Sequence, residues 1–60
     1  MNVKPIRDRA HHFLEPSVAA YADLTLKELE DFVAGARVLS LSKLARLAKR
    51  MGLSESDIAA

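Results

Sequence analysis

Two groups of residues in this chain of 60 have side chains suited to chemistry: titratable residues near the N-terminus and a run of bases in the last third. His11 and His12 are neighbours, so on a helix they point about 100° apart and do not hold one metal ion together. Asp8 with His12, or His12 with Glu15, has the spacing for a carboxylate–imidazole pair on one helix face. The rest of a catalytic apparatus is not legible: there is no nucleophile with an evident base and no Gly-rich phosphate loop. Tyr21, the lone phenol, reads as a core-edge side chain with its hydroxyl in water. A chain this short also has little volume for a substrate pocket. The expectation is a non-enzymatic protein with no metal, no cofactor and no small-molecule substrate.

The bases carry more information. Lys43, Arg46, Lys49 and Arg50 form a stripe on a helix, beside its apolar residues. Such a stripe suits a phosphate backbone, each neutralised phosphate adding a salt-dependent increment of affinity. It equally suits an acidic protein surface, or the solvated face of an ordinary amphipathic helix. The net charge of +1 conceals a segregation by segment. Residues 1–20 carry a net +1, 21–34 a net −3, 35–51 a net +5 and the remainder −2. Acids in first turns and bases in last turns of successive helices would produce much of this pattern, as the helix dipole prefers.

The elements that must position these charges are helical. Pro5 suits a first helical position, and Ile6, Ala10, Phe13 and Leu14 share a face, predicting a helix over about 5–14 that Pro16 ends. Residues 17–23 form a second short turn or helix presenting Val18, Tyr21 and Leu24. Thr25 followed three positions later by Glu28 is a capping box, opening a helix with Leu26, Leu29, Phe32, Val33 and Ala36 on one face. Gly35 inside such a helix costs about 1 kcal/mol relative to Ala, which implies a close helix contact there. Leu41, Leu44, Leu47, Ala48 and Met51 follow helical spacing, and Gly52 supplies the positive φ that a helix end requires. Ser54 and Asp57 repeat the capping-box spacing, and Ile58 returns the chain to the core.

Ser40 and Ser42 are N-cap residues that permit a break near residue 39, giving two helices. The apolar period also runs unbroken from Leu26 to Met51, so one helix of about 26 residues, about 40 Å long, is the alternative. Such a helix needs a partner to cover it. No strand signal, repeat or low-complexity tract competes with an all-α reading.

Size and composition point the same way. A domain this small buries only about 60% of the surface its unfolded chain exposes. With no cysteine and no Cys/His cluster, neither disulfides nor a structural zinc staple it, and oligomerisation is the remaining common device. Ten Ala, nine Leu and three aromatic residues favour closely packed helices over a sheet. The first nine residues place charges where a secretory signal has its apolar stretch, and the apolar runs fall far short of the roughly 20 residues that span a bilayer. The expectation is a soluble cytoplasmic protein that does not enter membranes.

Residues 41–58, with Ala48 four before Gly52, Leu53 after it and Ile58 six beyond it, resemble the helix-turn-helix of Cro/CI-type phage repressors and related bacterial regulators. That resemblance implies a recognition helix over residues 54–60, with Ser54, Glu55 and Ser56 near base edges. The same stretch also resembles the two-helix hook shared by the Sin repressor and its small anti-repressor. This second resemblance implies a helical dimerisation element in place of a DNA reader, and it accommodates the acidic Glu55 and Asp57.

These readings converge on an all-α single domain: residues 1–24 as short helices, 25–60 as a helix–helix–turn–helix unit, three to four helices in all, in an intertwined or packed homodimer. The dimer would form through the apolar faces of residues 26–39 and 41–51. The expected function is regulatory protein binding, to a transcription regulator for example, through an amphipathic helical surface. Leu44, Leu47, Ala48, Met51, Leu53 and Ile58 would form the seam, and Lys43, Arg46, Lys49 and Arg50 the charged rim. The alternative is a minimal dimeric DNA-binding regulator with those bases on phosphates.

Overall fold

Polar caps and a proline decide where the helices of this chain begin. In the computed structural model, which describes residues 1–59, the helices are α1 (Val3–Ala10), α2 (Pro16–Tyr21), α3 (Leu26–Val33), α4 (Leu41–Arg50) and α5 (Glu55–Ile58). No strand occurs among the described residues, so the all-α expectation holds. The Lys4 N–H donates to the Asn2 side chain ahead of α1, and the Lys43 N–H donates to the Ser40 hydroxyl ahead of α4. At α3 the capping box is complete: the Glu28 N–H donates to the Thr25 hydroxyl at 3.1 Å, and the Thr25 N–H donates to the Glu28 carboxylate at 2.9 Å. Pro16 starts α2 where it was expected to end the preceding helix. Its fixed φ and missing N–H cost nothing in a first turn, whose N–H groups have no intrahelical partner. The first helix accordingly closes at Ala10, short of the expected residue 14, and Leu14 is exposed.

Three helices end the same way. After α2, α3 and α4 the chain takes one residue with positive φ: Asp23 at 58°, Gly35 at 80° and Gly52 at 77°. Each is followed by the paired hydrogen bonds of a Schellman motif. After α4, the Leu53 N–H donates to Ala48 O at 2.9 Å and the Gly52 N–H to Lys49 O at 3.2 Å. After α3 the pairs are Ala36 to Asp31 and Gly35 to Phe32, and after α2 they are Leu24 to Ala19 and Asp23 to Ala20. Gly35 therefore lies past the end of α3, and a Cβ placed on it meets nothing within 4 Å, so the expected close helix contact is absent.

This turn settles the one-helix alternative. The left-handed residue at Gly35 and the new cap at Ser40 break the chain over residues 34–40, and α3 and α4 are separate. The longest extent of the molecule is 27 Å, too short to hold the 40 Å rod that an unbroken helix requires. Folding back lets α1–α4 share one core, in which Phe32, Ile6, Leu29, Leu47 and Val18 are fully buried. Each such side chain contributes about 1.5–3 kcal/mol relative to exposure. Arg7 fastens α1 to the end of α3: its Nε donates to Phe32 O at 3.0 Å while the guanidinium lies 4.9 Å from the Phe32 ring centroid.

The leucine-rich stripes that were expected to meet in a homodimer are thus covered within one chain. Leu29, Phe32 and Val33 of α3 and Leu44, Leu47, Ala48 and Met51 at α4 are all buried by their own molecule.

Candidate functional site

With the stripe inside, the expected seam divides. Leu44, Leu47, Ala48 and Met51 belong to the core, whereas Leu53 and Ile58 are half-buried and pack against it from the edge. The outer side of α4 carries Leu41, Ser42, Ala45, Arg46, Lys49 and Arg50, all exposed. Leu41, Ala45 and Lys49 are four apart and form one row, with Ser42, Arg46 and Arg50 in the next.

Beside the first row an open groove of about 600 Å³ runs between α4 and α5. Ala45, Ala48 and Lys49 line it from α4, Gly52 and Leu53 from the turn, and Glu55 and Ile58 from α5, with Met1 also lining it. The floor is aliphatic and the banks are charged with opposite sign. Lys49 on one bank and Glu55 on the other form no ion pair within 4 Å. The Asn2 N–H donates to Ile58 O at 2.7 Å, tying the residues ahead of α1 to α5, and Met1 lines this groove. Ala45 and Met1 were not anticipated as site residues. An alanine next to a base inside a helix signals little, and the approach of the two ends of the chain leaves no local trace.

The bases separate clearly once their partners are traced. Six of the nine Lys and Arg residues are engaged within the fold. Lys4 pairs with Asp8 at 2.6 Å, Lys27 with Asp31 at 3.4 Å, and Arg37 with Glu28 at 3.3 Å. Arg7 and Arg9 donate to the carbonyls of Phe32 and Met51, and Lys43 donates to Asp23 O at 3.1 Å. Lys43 is therefore a fastener between α4 and the end of α2, and it leaves the expected rim. Among the described residues Arg46, Lys49 and Arg50 alone have no such partner, and they stand together on one turn of α4.

Asp57 on α5 is held ionised. The Ser54 N–H donates to the Asp57 carboxylate at 2.8 Å and the Ser54 hydroxyl at 2.9 Å. These bonds, the backbone one foremost, keep the Asp57 carboxyl below its ordinary pKa, with the charge of Arg9 assisting. Glu55 and Asp57 are both exposed, so α5 presents negative charge next to the basic turn of α4.

The N-terminal titratable residues do not assemble. Asp8 bonds Lys4, which lowers its pKa, and His11 and His12 lie exposed in the turn after α1. The carboxylate–imidazole pairs their spacing allows are not formed. Tyr21, expected at the edge of the core, is exposed and is not among the side chains packed against it. Among the described residues no group of three or more potential metal ligands occurs, and no helix is long and apolar enough to cross a membrane.

Fold and surface together define a small protein, all-helical among the described residues, with a charged groove between α4 and α5. No family model, curated protein or solved structure matches the chain.

Proposed function

We propose that this chain is a small non-enzymatic regulatory protein that works by binding another protein on the outer face of α4 and the adjoining groove. The carrying observation is the isolation of Arg46, Lys49 and Arg50. Three bases on one helical turn repel one another, and every other strong cation of the chain has a partner within the fold. An external acidic surface relieves that repulsion, and the aliphatic groove beside it supplies the apolar contact that charge pairs at a wet rim do not.

A second reading places the same bases on nucleic acid. The order α4, a left-handed glycine, then α5 is the layout that the helix-turn-helix resemblance implies. Against it, the exposed Glu55 and Asp57 would face the phosphates.

Site-specific photo-crosslinking in cells separates the two. With a benzophenone amino acid in place of exposed Ser42, on the outer face of α4 but outside the groove lining, the protein reading expects a discrete protein adduct that disappears on Arg46→Glu. The same probe at exposed Glu30, on α3, should give none. An adduct to nucleic acid, or one indifferent to Arg46→Glu, overturns the reading.

A further inference from the structure

We infer that the partner docks as a short amphipathic helix, its aliphatic row in the α4–α5 groove and a row of Asp or Glu residues along Arg46, Lys49 and Arg50. This rests on the protein-binding reading above and adds the chemistry of the ligand. The argument is one of charge and shape. Lys49 lines the α4 bank, with the exposed Arg46 and Arg50 in the neighbouring row of the same turn, and Glu55 lines the α5 bank, with Asp57 exposed on the same short helix. A docked element must then be acidic on its α4 side and free of acid on its α5 side.

A helix meets this requirement because residues three and four apart share a face, so one helix carries an acidic row and an aliphatic row side by side. The groove wall matches such a shape. Ala45 and Ala48 project only methyl groups and Gly52 none, which lets a second helix approach α4 closely. Duplex DNA fits worse: an aliphatic floor offers phosphates nothing, and the α5 bank repels them. A second copy also fits worse, because its exposed helical faces combine no aliphatic row with an acidic one. On α3 the acids Glu28 and Asp31 are already paired with Arg37 and Lys27.

Amide chemical-shift mapping with defined probes tests this. One probe is a side-chain-stapled helical peptide of about 15 residues with Leu four apart and Glu on one flank; its twin has Lys in place of Glu. The acidic peptide should shift amides of residues 45–58 and bind at least roughly tenfold more tightly than its twin at low salt, the margin shrinking as salt rises. Arg46→Glu with Lys49→Glu should remove that margin. Ala45→Trp, at an exposed position, should block the groove and abolish binding while leaving the charges in place.

Equal binding of the twins, shifts mapping elsewhere, or no binding by either peptide overturns the inference. So does stronger displacement of the same amides by duplex DNA or by self-association. The protein-binding reading fails separately, through the crosslinking result at Ser42, so a protein adduct without peptide preference would leave the reading intact and sink only the ligand chemistry.

Discussion

The Arg9 guanidinium on α1 donates to the Met51 carbonyl at the end of α4, at 3.2 Å across 42 positions of sequence. Met51 is the C-cap of α4, where carbonyls lack intrahelical partners and the helix dipole favours a cation. Arg9 also lies close enough to Asp57 to help hold it ionised. One exposed side chain thus ties the first helix to the turn that forms the floor of the groove.

Arg9→Ala should therefore destabilise the protein by about 1 kcal/mol, the scale of one hydrogen bond from a charged, partly exposed donor. For a domain this small the melting temperature falls by roughly 4–8 °C per kcal/mol. Removing Arg46, Lys49 and Arg50 together should leave it nearly unchanged, because none of them has a partner in the fold. Thermal melts followed by circular dichroism make the comparison, and an equal loss in both variants would contradict it.

Acid should loosen the caps of α3 and α5. Glu28 and Asp57 are held below their ordinary pKa, first by the N–H of Thr25 and of Ser54 respectively. A carboxyl with a lowered folded-state pKa stabilises the fold fully above its unfolded pKa, and the contribution is lost as pH falls through the folded value. The melting temperature should then hold near neutrality and drop below about pH 4. Glu28→Gln removes one such group and should make that acid limb shallower. An unchanged limb would show that the α3 capping box is not coupled to folding.

Gly52 sits at φ 77° with nothing within 4 Å of an added Cβ, so a side chain there meets only backbone strain. Gly52→Ala should cost about 1–2 kcal/mol. A D-alanine at the same position, introduced by chemical synthesis, should instead stabilise by about 0.4–1 kcal/mol by restricting the unfolded chain. Urea titrations of the two proteins should move in opposite directions. Movement of both in one direction would mean that the turn is not left-handed.

Leu47 is 0% exposed and Leu41 is 69% exposed, although both lie on α4. Leu47→Ala should cost about 2–5 kcal/mol, and Leu41→Ala should stay within about 0.5 kcal/mol. A large loss at Leu41 would place that side chain in an interface the single chain does not contain.

These contrasts also show what local sequence can carry. The α3 capping box and the turn at Gly52 were legible because every atom involved lies within a few residues. Gly35 was misread because a glycine inside an apolar period fits both a helix interior and a Schellman end, and only the Ala36 to Asp31 bond distinguishes them. Asp23 gave no signal, since aspartate tolerates the left-handed region without requiring it. In the site, the bases of α4 were legible as a stripe. Which of them are free was not, because Lys43 finds Asp23 O, and Arg9 finds Met51 O, only through the packing of distant helices. Of the seam residues, Leu44, Leu47 and Met51 are core side chains while Leu53 and Ile58 reach the groove, a division the period does not give because it marks a buried face without saying what buries it.

The account stands on the claim that one chain seals its own leucine stripe and leaves the outer turn of α4 to bind. The dependence of the melting temperature on protein concentration tests that claim most directly. A fold complete in one copy keeps the same midpoint over a roughly hundredfold range of concentration. A midpoint that climbs steadily with concentration would mean that folding requires a second chain, and the buried faces of α3 and α4 would belong to an interface after all.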